Sequence, residues 1–427
     1  MEIGIVGGGL TGLTAAYRLA KKDHEVTIYE KEEKLGGLAR GFEIGGEAGT
    51  LDRYYHHIFK TDDAFLNLIE DLGLSDSLKW HRAKMGFYAD GSTYDFGTPI
   101  SLLKFSPLSW PAKIRFGLAT LYLQNLTDWQ NLEDITVVEW MKKYAGKETY
   151  DVIWGPLLKS KFGENYDRIP MSWMWGRIKQ RESSTSLLGA EEELGYMEGG
   201  FQTLIDKLES VLNNQEVKIE TGKEVKGIRP DNGRIEVVTN SVKAKYDKVI
   251  NTAAIPVFLK IAQGLPGEYR KRLSSIDYFG AMSLIFSLKN SISDYYWMNI
   301  GNEKFPFTGL IEHTNFASKS SYQGRNLVYT SKYLHRDDPM MGWDKSKLLE
   351  EYTTYIKKVN PKFSSDWIEE IELFRSQFAQ PITRLNYSDI NPELETPIDG
   401  LYLATMAQIY PWDRGMNYAI KIGNGFK

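Results

Sequence analysis

The feature that most constrains the fold of this sequence is a glycine-rich turn within its first twelve residues. An apolar segment at residues 3–6 predicts a buried strand, which leads into the turn Gly7-x-Gly9-x-x-Gly12 and then into an amphipathic helix. Gly7 permits the tight turn, Gly9 lets a pyrophosphate approach the backbone, and Gly12 lets the helix pack closely on the strand. The phosphates would meet free N–H groups at the helix N-terminus, so the pattern predicts a dinucleotide site.

An acidic residue at the end of a second predicted strand supports the same site. Residues 26–29 form this strand, and Glu30 follows Gly12 by 18 positions. A carboxylate there would accept both hydroxyls of an adenosine ribose and would repel a 2′-phosphate, which argues against NADP. We assign Leu10, Thr11 and Lys31 to the same dinucleotide site.

A second glycine pair, Gly36-Gly37, follows Glu30 after five residues and is itself followed by Leu38 and Arg40. The pair lets another backbone segment approach the cofactor phosphates, and the Arg40 guanidinium can add charge-assisted hydrogen bonds. This run resembles the flavoprotein superfamily of amine oxidases, protoporphyrinogen oxidase, carotenoid desaturases and UDP-galactopyranose mutase. The resemblance implies FAD, bound extended, with its ADP half at the N-terminus of the chain.

The same resemblance implies an α/β fold with a Rossmann-like, discontinuous FAD-binding domain and an inserted α+β substrate domain of mixed sheet and helix. A chain of 427 residues is long enough for two domains. We place the FAD-binding domain at residues 1–80, 194–258 and 395–427, and the substrate domain at residues 81–193 and 259–394.

Two further segments are expected to return to the cofactor. In the superfamily, the residue that matches Val225 binds adenine through its backbone, and the strand that ends at Ala253 approaches the pyrophosphate. The last strand is usually followed by Gly-Asp and by a helix whose N-terminus faces the flavin. This chain has Thr405-Met406 in place of Gly-Asp. We assign Thr405 to the cofactor site, together with Met416 and Asn417 at the start of the last predicted helix.

Two of the six histidines, His56 and His57, follow Tyr55. The resemblance implies that this part of the chain runs near the isoalloxazine ring, so one histidine would line the flavin face while Tyr55 contacts the substrate. The alternative is a histidine hydrogen-bonded within a domain junction. The following Ile-Phe-Lys-Thr-Asp segment also resembles UDP-galactopyranose mutase, where a histidine near the flavin adjusts its electronic state.

Other candidate site residues lie in the predicted substrate domain and in the closing segment. Glu312-His313-Thr314-Asn315 ends an apolar strand, which predicts a catalytic His313 with Glu312 and Asn315 on a polar substrate. A capped turn is the alternative.

Lys161, Arg177 and Arg414 are predicted to bind an anionic group of the substrate. For Lys161 and Arg177, the alternative is ordinary helix packing with solvated cations. From about Thr98 to Leu188 the chain reads as mainly helical, and residues 275–335 read as a sheet. Residues 100–123 could lie at a membrane interface, although core packing is the favoured interpretation.

Composition excludes several classes of function. A net charge of −4 without a long basic block gives no reason to expect nucleic acid. The absence of cysteine excludes disulfides, a cysteine-linked flavin and a dithiol-relay reductase. The sequence contains no second GxGxxG turn in a strand–helix context, which argues against a separate NAD(P)H site. No metal site is predicted. The apolar strand at the N-terminus argues against a signal peptide, so a cytoplasmic location is expected. A homodimer and peripheral membrane contact stay open.

The favoured function is an FAD-dependent oxidoreductase that removes a hydride from a small or medium organic substrate, as protoporphyrinogen oxidase and the desaturases do. The substrate would be a small molecule, either anionic or sugar-linked. A flavin-dependent isomerase similar to UDP-galactopyranose mutase is the first alternative. A non-catalytic flavin-binding protein is the second, because Gly-Asp is absent and because no lysine stands near Ser283, where amine oxidases place one.

Overall fold

The computed structural model describes residues 1–44, 49–181 and 192–426. In this part of the chain the strands, numbered in chain order, are β1 (Glu2–Val6), β2 (Glu25–Tyr29), β3 (Gly41–Glu43), β4 (Thr50–Asp52), β5 (Leu78–Ala83), β6 (Met85–Ala89), β7 (Ser92–Asp95), β8 (Glu192–Met197), β9 (Lys218–Glu220), β10 (Val225–Asp231), β11 (Arg234–Thr239), β12 (Lys243–Tyr246), β13 (Lys248–Asn251), β14 (Tyr278–Leu288), β15 (Trp297–Ile300), β16 (Gly309–Glu312), β17 (Asn326–His335), β18 (Ile368–Pro381) and β19 (Leu401–Leu403).

The helices are numbered in the same way. They are α1 (Leu10–Ala20), α2 (Asp63–Asp71), α3 (Pro99–Lys104), α4 (Trp110–Asn125), α5 (Val137–Trp140), α6 (Lys147–Thr149), α7 (Gly155–Phe162), α8 (Met171–Gln180), α9 (Gln202–Asn214), α10 (Ile255–Ile261), α11 (Gly267–Ser274), α12 (Lys345–Val359) and α13 (Met416–Gly423). Two π-helical segments, Met141–Ala145 and Tyr150–Trp154, interrupt the helical region.

A five-stranded parallel sheet in the order β19-β13-β1-β2-β9 forms the nucleotide-binding half. β1 lies at its centre and is buried from Ile3 to Val6, since helices cover the sheet. α1 packs against both α9 and α13, which come from two other parts of the chain. The carboxyl ends of β1, β2 and β13 therefore meet at one edge of the sheet, where ligands of open α/β sheets bind. This arrangement confirms the Rossmann-like fold and its discontinuous path.

A second layer on this half is the antiparallel sheet β10-β11-β12. Helices α10 and α11 share a hydrophobic core with it, through Phe258 and Leu273 against Ile228 and Val237. The boundary expected at residue 258 thus falls inside α10. The boundaries expected at residues 80 and 194 fall inside β5 and β8, which pair with each other.

The other half contains a mixed seven-stranded sheet in the order β18-β14-β17-β16-β15-β6-β7. β14 is buried over its whole length because strands flank it on both edges and side chains cover both faces. β6 and β7 form the hairpin expected around Asp90-Gly91. Helices α3–α8 lie between Pro99 and Gln180, which confirms a mainly helical region; the expected continuation from 182 to 188 falls outside the described residues. The substrate half is therefore α+β, as expected.

Candidate functional site

The β1–α1 turn leaves no room for a side chain at Gly7 or at Gly12. Gly7 adopts φ +109°, and a Cβ atom placed on it would lie 2.3 Å from Thr252 Oγ1. A Cβ atom on Gly12 would lie 2.0 Å from the Gly7 carbonyl oxygen. Both distances are far below van der Waals contact, so only glycine permits this backbone. The turn opens at the N-terminus of α1, whose cap residue Gly9 supplies no side-chain hydrogen bond to the helix.

Glu30 is oriented by two backbone groups. Gly8 N–H donates to Glu30 Oε2 at 2.7 Å, and Glu32 N–H donates to Glu30 Oε1 at 2.9 Å. A carboxylate has about four acceptor positions, so each oxygen keeps one for a ribose hydroxyl. The neighbouring Lys31 is exposed, and its Nζ lies 3.5 Å from Glu32 Oε1.

The second glycine pair faces the first turn. Gly36 N–H donates to the Gly8 carbonyl at 2.8 Å, and a Cβ atom on Gly37 would lie 3.2 Å from Gly9 Cα. Arg40 Nη1 donates to the Lys34 carbonyl at 3.2 Å. Its buried Nε has no partner among the described residues. Two glycine segments with a cation beside them are a suitable cradle for a pyrophosphate.

Segments from later in the chain complete this edge of the sheet. Thr252 Oγ1 donates to the Val6 carbonyl at 2.9 Å, which holds the end of β13, and with it Ala253, against the turn. Lys223 N–H donates to the Glu30 carbonyl at 2.8 Å, just before Val225 begins β10. The structure thus brings together the predicted cofactor residues of the N-terminal half and the two returning segments: Gly7, Gly9, Leu10, Thr11, Gly12, Glu30, Lys31, Gly36, Gly37, Leu38, Arg40, Val225 and Ala253.

The closing segment uses its polar side chains differently from the expectation. Thr405 Oγ1 accepts the Ala407 N–H and caps a 3₁₀ turn, while Asn417 Oδ1 accepts the Phe65 N–H at 3.0 Å. Both side-chain oxygens therefore hold protein backbone, and the assignment of Thr405 and Asn417 to the cofactor site stays a prediction. Met416 begins α13 and lines the main cavity together with Gly415.

A cavity of about 910 Å³ lies between the two halves of the molecule. One end is polar and is lined by Tyr55, His56, His57, Asp62, Lys161, Arg177, Arg181, Asp413 and Arg414. The rings of Phe162, Trp173 and Trp297 pack among these polar residues. The other part of the lining is mainly apolar and consists of Phe96, Leu102, Phe116, Leu121, Trp154, Leu157, Met174 and Ile178. A volume of this size accommodates a medium organic molecule.

Both predicted histidines lie at the polar end. Burial, reinforced by the Arg414 cation, lowers the pKa of His56 to about 3, and its Nδ1 has no partner among the described residues. Burial and the Arg181 cation lower the pKa of His57 to about 3 as well. His57 Nδ1 lies 3.1 Å from the Tyr296 hydroxyl. Both imidazoles are therefore neutral near pH 7.

Two of the three predicted cations, Lys161 and Arg177, converge on one carboxylate, Asp413. Its Oδ2 accepts Lys161 Nζ at 3.2 Å and also pairs with Arg177 Nη1. Its Oδ1 accepts Gln380 Nε2 at 2.8 Å and Trp173 Nε1 at 3.3 Å. Although burial pushes the pKa of Asp413 upward, the Lys161 and Arg177 cations bring it down to about 2.

The cations outnumber this carboxylate. Arg414 lies 4.9 Å over the Tyr333 ring, and its Nε has no partner among the described residues. Lys161 lies 4.7 Å over the Trp173 ring, and burial lowers its pKa to about 7 against the pull of Asp413. Two cations pair with Asp413 and Arg414 has no carboxylate partner among the described residues, so this end of the cavity carries a positive field.

The residues predicted at the end of β16 do not reach the cavity. Glu312 Oε2 accepts the backbone N–H groups of residues 292 and 293 at 3.1 and 2.9 Å. Asn315 Nδ2 donates to the Ser293 carbonyl at 2.6 Å. His313 is buried and its Nε2 lies 3.0 Å from the Tyr322 hydroxyl. All three hydrogen-bond to other groups of the protein and none lines the cavity, so the structure does not bring them to the predicted substrate site. The capped-turn alternative is wrong as well, because Glu312, at the N-cap position of the turn after β16, makes no side-chain hydrogen bond to that turn.

Asp413, Gln380 and Tyr333 were not assigned to the site from the sequence. The single signal for Asp413 was its place directly before Arg414 in an aromatic turn. Tyr333 and Gln380 occupy two strands, and nothing local distinguishes them from core residues.

The sequence profile of the family described as flavin containing amine oxidoreductase matches residues 10–424. The chain belongs to this family. Coproporphyrinogen III oxidase of Staphylococcus aureus (strain NCTC 8325 / PS 47) is 24% identical over 311 residues, which cover 64% of this chain and 65% of that protein. The 15-cis-phytoene desaturase of Synechococcus elongatus is 27% identical over 158 residues, 34% of this chain. The match spans only 33% of that desaturase.

Solved structures of this flavoprotein fold superpose over the whole chain. A putative protoporphyrinogen oxidase from Exiguobacterium sp. 255-15 has a TM-score of 0.79 at 17% identity, covering 99% of this chain and 97% of that one. Reduced UDP-galactopyranose mutase has a TM-score of 0.77 at 16% identity, covering 99% and 93%. These likenesses show the fold, which proteins of different activity share.

Proposed function

We propose that the protein is an FAD-dependent oxidoreductase that removes a hydride from a carbon atom of an organic substrate, in the manner of the protoporphyrinogen oxidases and desaturases it resembles. The observation that carries this proposal is the cavity of about 910 Å³, which joins a mainly apolar wall to a buried cationic end beside the first turn of α13. Such a shape fits a substrate with an apolar body and an anionic group.

The described residues fit the ADP half of FAD. The turn at Gly7 and Gly12 excludes side chains, Glu30 is held in place with acceptor positions to spare, and Arg40 keeps an unpartnered buried Nε. When bound, FAD supplies a flavin ring that accepts the hydride.

The residues of the polar end have separable tasks. Arg177 and Lys161 form ion pairs with Asp413, which hold both cations in position before a substrate binds. Arg414 hydrogen-bonds Tyr55, has no carboxylate partner among the described residues and lines the cavity, so it is the cation best placed to bind a substrate anion. His56 and His57, neutral near pH 7, line the same end without adding charge.

The test is an anaerobic titration of the purified flavoprotein with anionic, partly apolar candidate substrates. Bleaching of the flavin absorption is expected, and oxygen should restore it. Arg414→Met should raise KM about tenfold or more, because a charge-assisted hydrogen bond is lost. The matched control Arg168→Met removes an exposed cation and should leave KM unchanged. A purified protein that retains no flavin after addition of FAD would refute the proposal.

A flavin-dependent isomerase of sugar nucleotides is a second candidate. The cationic end of the cavity favours it, since a diphosphate is a strong ligand for buried arginines. The likeness to UDP-galactopyranose mutase supports the fold of such an enzyme. Turnover of a sugar nucleotide only after reduction with dithionite, without net oxidation, would favour this candidate over the first.

A further inference from the structure

Helix α4 exposes an apolar face to the outside of the molecule. Trp110, Ile114 and Leu118 follow one another at intervals of four residues and are 61%, 60% and 62% exposed. Side chains at this spacing lie on one face of a helix. We expected core packing for residues 100–123, and this face shows that the expectation is wrong for half of α4.

The exposed face of α4 is part of a larger apolar surface, here called the α3–α4 surface. It also contains Ile100, Leu103, Leu121, Tyr122 and Tyr144. The rings of Tyr122 and Tyr144 both pack against Trp140, with centroid-to-centroid distances of 6.4 and 4.9 Å. Of the twelve large apolar side chains exposed in the described part of the chain, eight belong to this surface. Soluble proteins rarely collect so many in one place.

The charges around this surface are mostly positive. From Phe96 to Thr127 the sequence contains Lys104, Lys113 and Arg115 but no aspartate or glutamate. Lys113 lies 4.8 Å over the Trp110 ring while its Nζ donates to a backbone carbonyl.

Two further exposed lysines, Lys142 and Lys143, extend this charge. They lie on the π-helical segment that packs on α4. The acid closest to the helix start, Glu148, is hydrogen-bonded to Ser109 N–H and to its hydroxyl. An apolar face rimmed by cations complements an anionic lipid surface.

We propose that the α3–α4 surface docks onto the interfacial region of an anionic phospholipid bilayer. Trp110 and Tyr122 suit the boundary between headgroups and acyl chains, where aromatic side chains with polar atoms accumulate. The described residues contain no helix with the length and apolar character needed to cross a bilayer. In this proposal the protein therefore lies on the membrane, with the apolar face of α4 buried among headgroups and upper acyl chains.

The docking surface adjoins the mouth of the cavity. Phe116, Gly117 and Thr120 line the cavity from the neighbouring face of α4, and Leu121 both lines the cavity and is half exposed. α4 therefore separates the outer surface from the interior of the cavity by one helix width. If the proposed oxidoreductase acts on a partly apolar substrate, this arrangement lets the substrate pass from the bilayer into the cavity; that step rests on the proposed function, whereas docking does not.

The experiment is co-sedimentation of the full-length, FAD-loaded protein with phosphatidylcholine vesicles that contain or lack phosphatidylglycerol. Binding is expected with the anionic vesicles and should weaken with added salt. The double variant Ile114→Ser/Leu118→Ser should lower the partition coefficient by about 100-fold, since each buried aliphatic side chain contributes about a factor of ten. The matched control Val242→Ser removes an apolar side chain exposed on the β11–β12 turn and should bind as the unaltered protein does.

A charge variant provides a second measurement that does not depend on the apolar side chains. Lys104→Glu should weaken binding to anionic vesicles by about fivefold to tenfold and leave the thermal midpoint unchanged, since Lys104 is exposed. Equal binding by the double variant and by Val242→Ser would overturn the proposal. So would self-association, measured by analytical ultracentrifugation, that requires Ile114 and Leu118 while no vesicle binding occurs; the occupant would then be a second copy of the chain.

Discussion

Asp413→Asn is the substitution that tests the cationic end of the cavity most directly. Asparagine has nearly the same shape, and its Oδ1 can still accept from Gln380 and Trp173. What changes is the charge, because Lys161 and Arg177 lose the carboxylate oxygen that they share. The side chains of all three residues are less than a third exposed, so water cannot easily replace the lost partner.

The expected loss of stability follows from this burial. Removing one partner of a buried ion pair costs about 3–5 kcal/mol, because the remaining charge stays desolvated. Lys161 can relieve part of this cost by releasing its proton, since burial already lowers its pKa to about 7. The Arg177 guanidinium stays charged at every accessible pH. We therefore expect the destabilisation by Asp413→Asn to be larger at pH 6, where Lys161 is charged, than at pH 9, where it is neutral.

The assay is urea unfolding followed by circular dichroism at both pH values, with saturating FAD present. Asp151→Asn is the matched control, because Asp151 pairs with Lys147 at the surface, where their side chains are 46% and 79% exposed. Asp151→Asn should change the free energy of unfolding by less than about 0.5 kcal/mol at both pH values. If Asp413→Asn lowers the free energy of unfolding by less than about 1 kcal/mol, or by an amount that does not depend on pH, the reasoning about buried charge is refuted.

Three further changes test other parts of the structure. Gly12→Ala should reduce the flavin content of the purified protein to less than about a tenth, because its Cβ would lie 2.0 Å from the Gly7 carbonyl; Gly267→Ala, with open space around it, should retain flavin. The KM for an anionic substrate should rise with pH through about 7 as Lys161 loses its proton, and Lys161→Met should abolish this dependence in steady-state kinetics. Burial raises the pKa of Glu312 to about 7, so stability should fall from pH 4.5 to pH 7 as the carboxyl ionises; thermal melts of Glu312→Gln should show a flatter profile.

The cofactor half of the site could be predicted because its signal is local. The turn Gly7–Gly12, the acid Glu30 and the pair Gly36-Gly37 all lie within forty residues, and each has a steric or electrostatic role that the residue type reveals. The structure places them at the carboxyl edge of one parallel sheet, as the strand–turn–helix pattern predicts.

The substrate half could be predicted only in part, because its contacts are long-range. Lys161 and Arg177 stand 252 and 236 positions before Asp413, and no periodicity in the sequence relates them. Polar residues at a strand end are ambiguous for a different reason. Glu312 and Asn315 looked like ligands for a substrate, but they bind backbone groups of residues 292, 293 and 295, which would otherwise lack these partners.

Helix α4 illustrates the same limit for apolar segments. Its sequence is apolar on several faces, which is equally consistent with a core helix and with an interfacial one. Periodicity alone does not separate the two, because both bury apolar side chains, one in protein and the other in lipid. Only the tertiary structure shows that Ile114 and Leu118 point outward while Phe116 and Thr120 line the cavity.

Together, the two proposals place two chemical requirements on the substrate. A molecule that reaches the cavity past α4 must be apolar enough to partition at a membrane surface, and one that is held near Arg414 must carry an anionic group. Although the whole chain has a net charge of −4, cations predominate both around the α3–α4 surface and at the polar end of the cavity. An anionic amphiphile would be attracted at both places. A sugar nucleotide meets only the second requirement, so vesicle binding together with flavin bleaching by amphiphiles would favour the oxidoreductase over the isomerase.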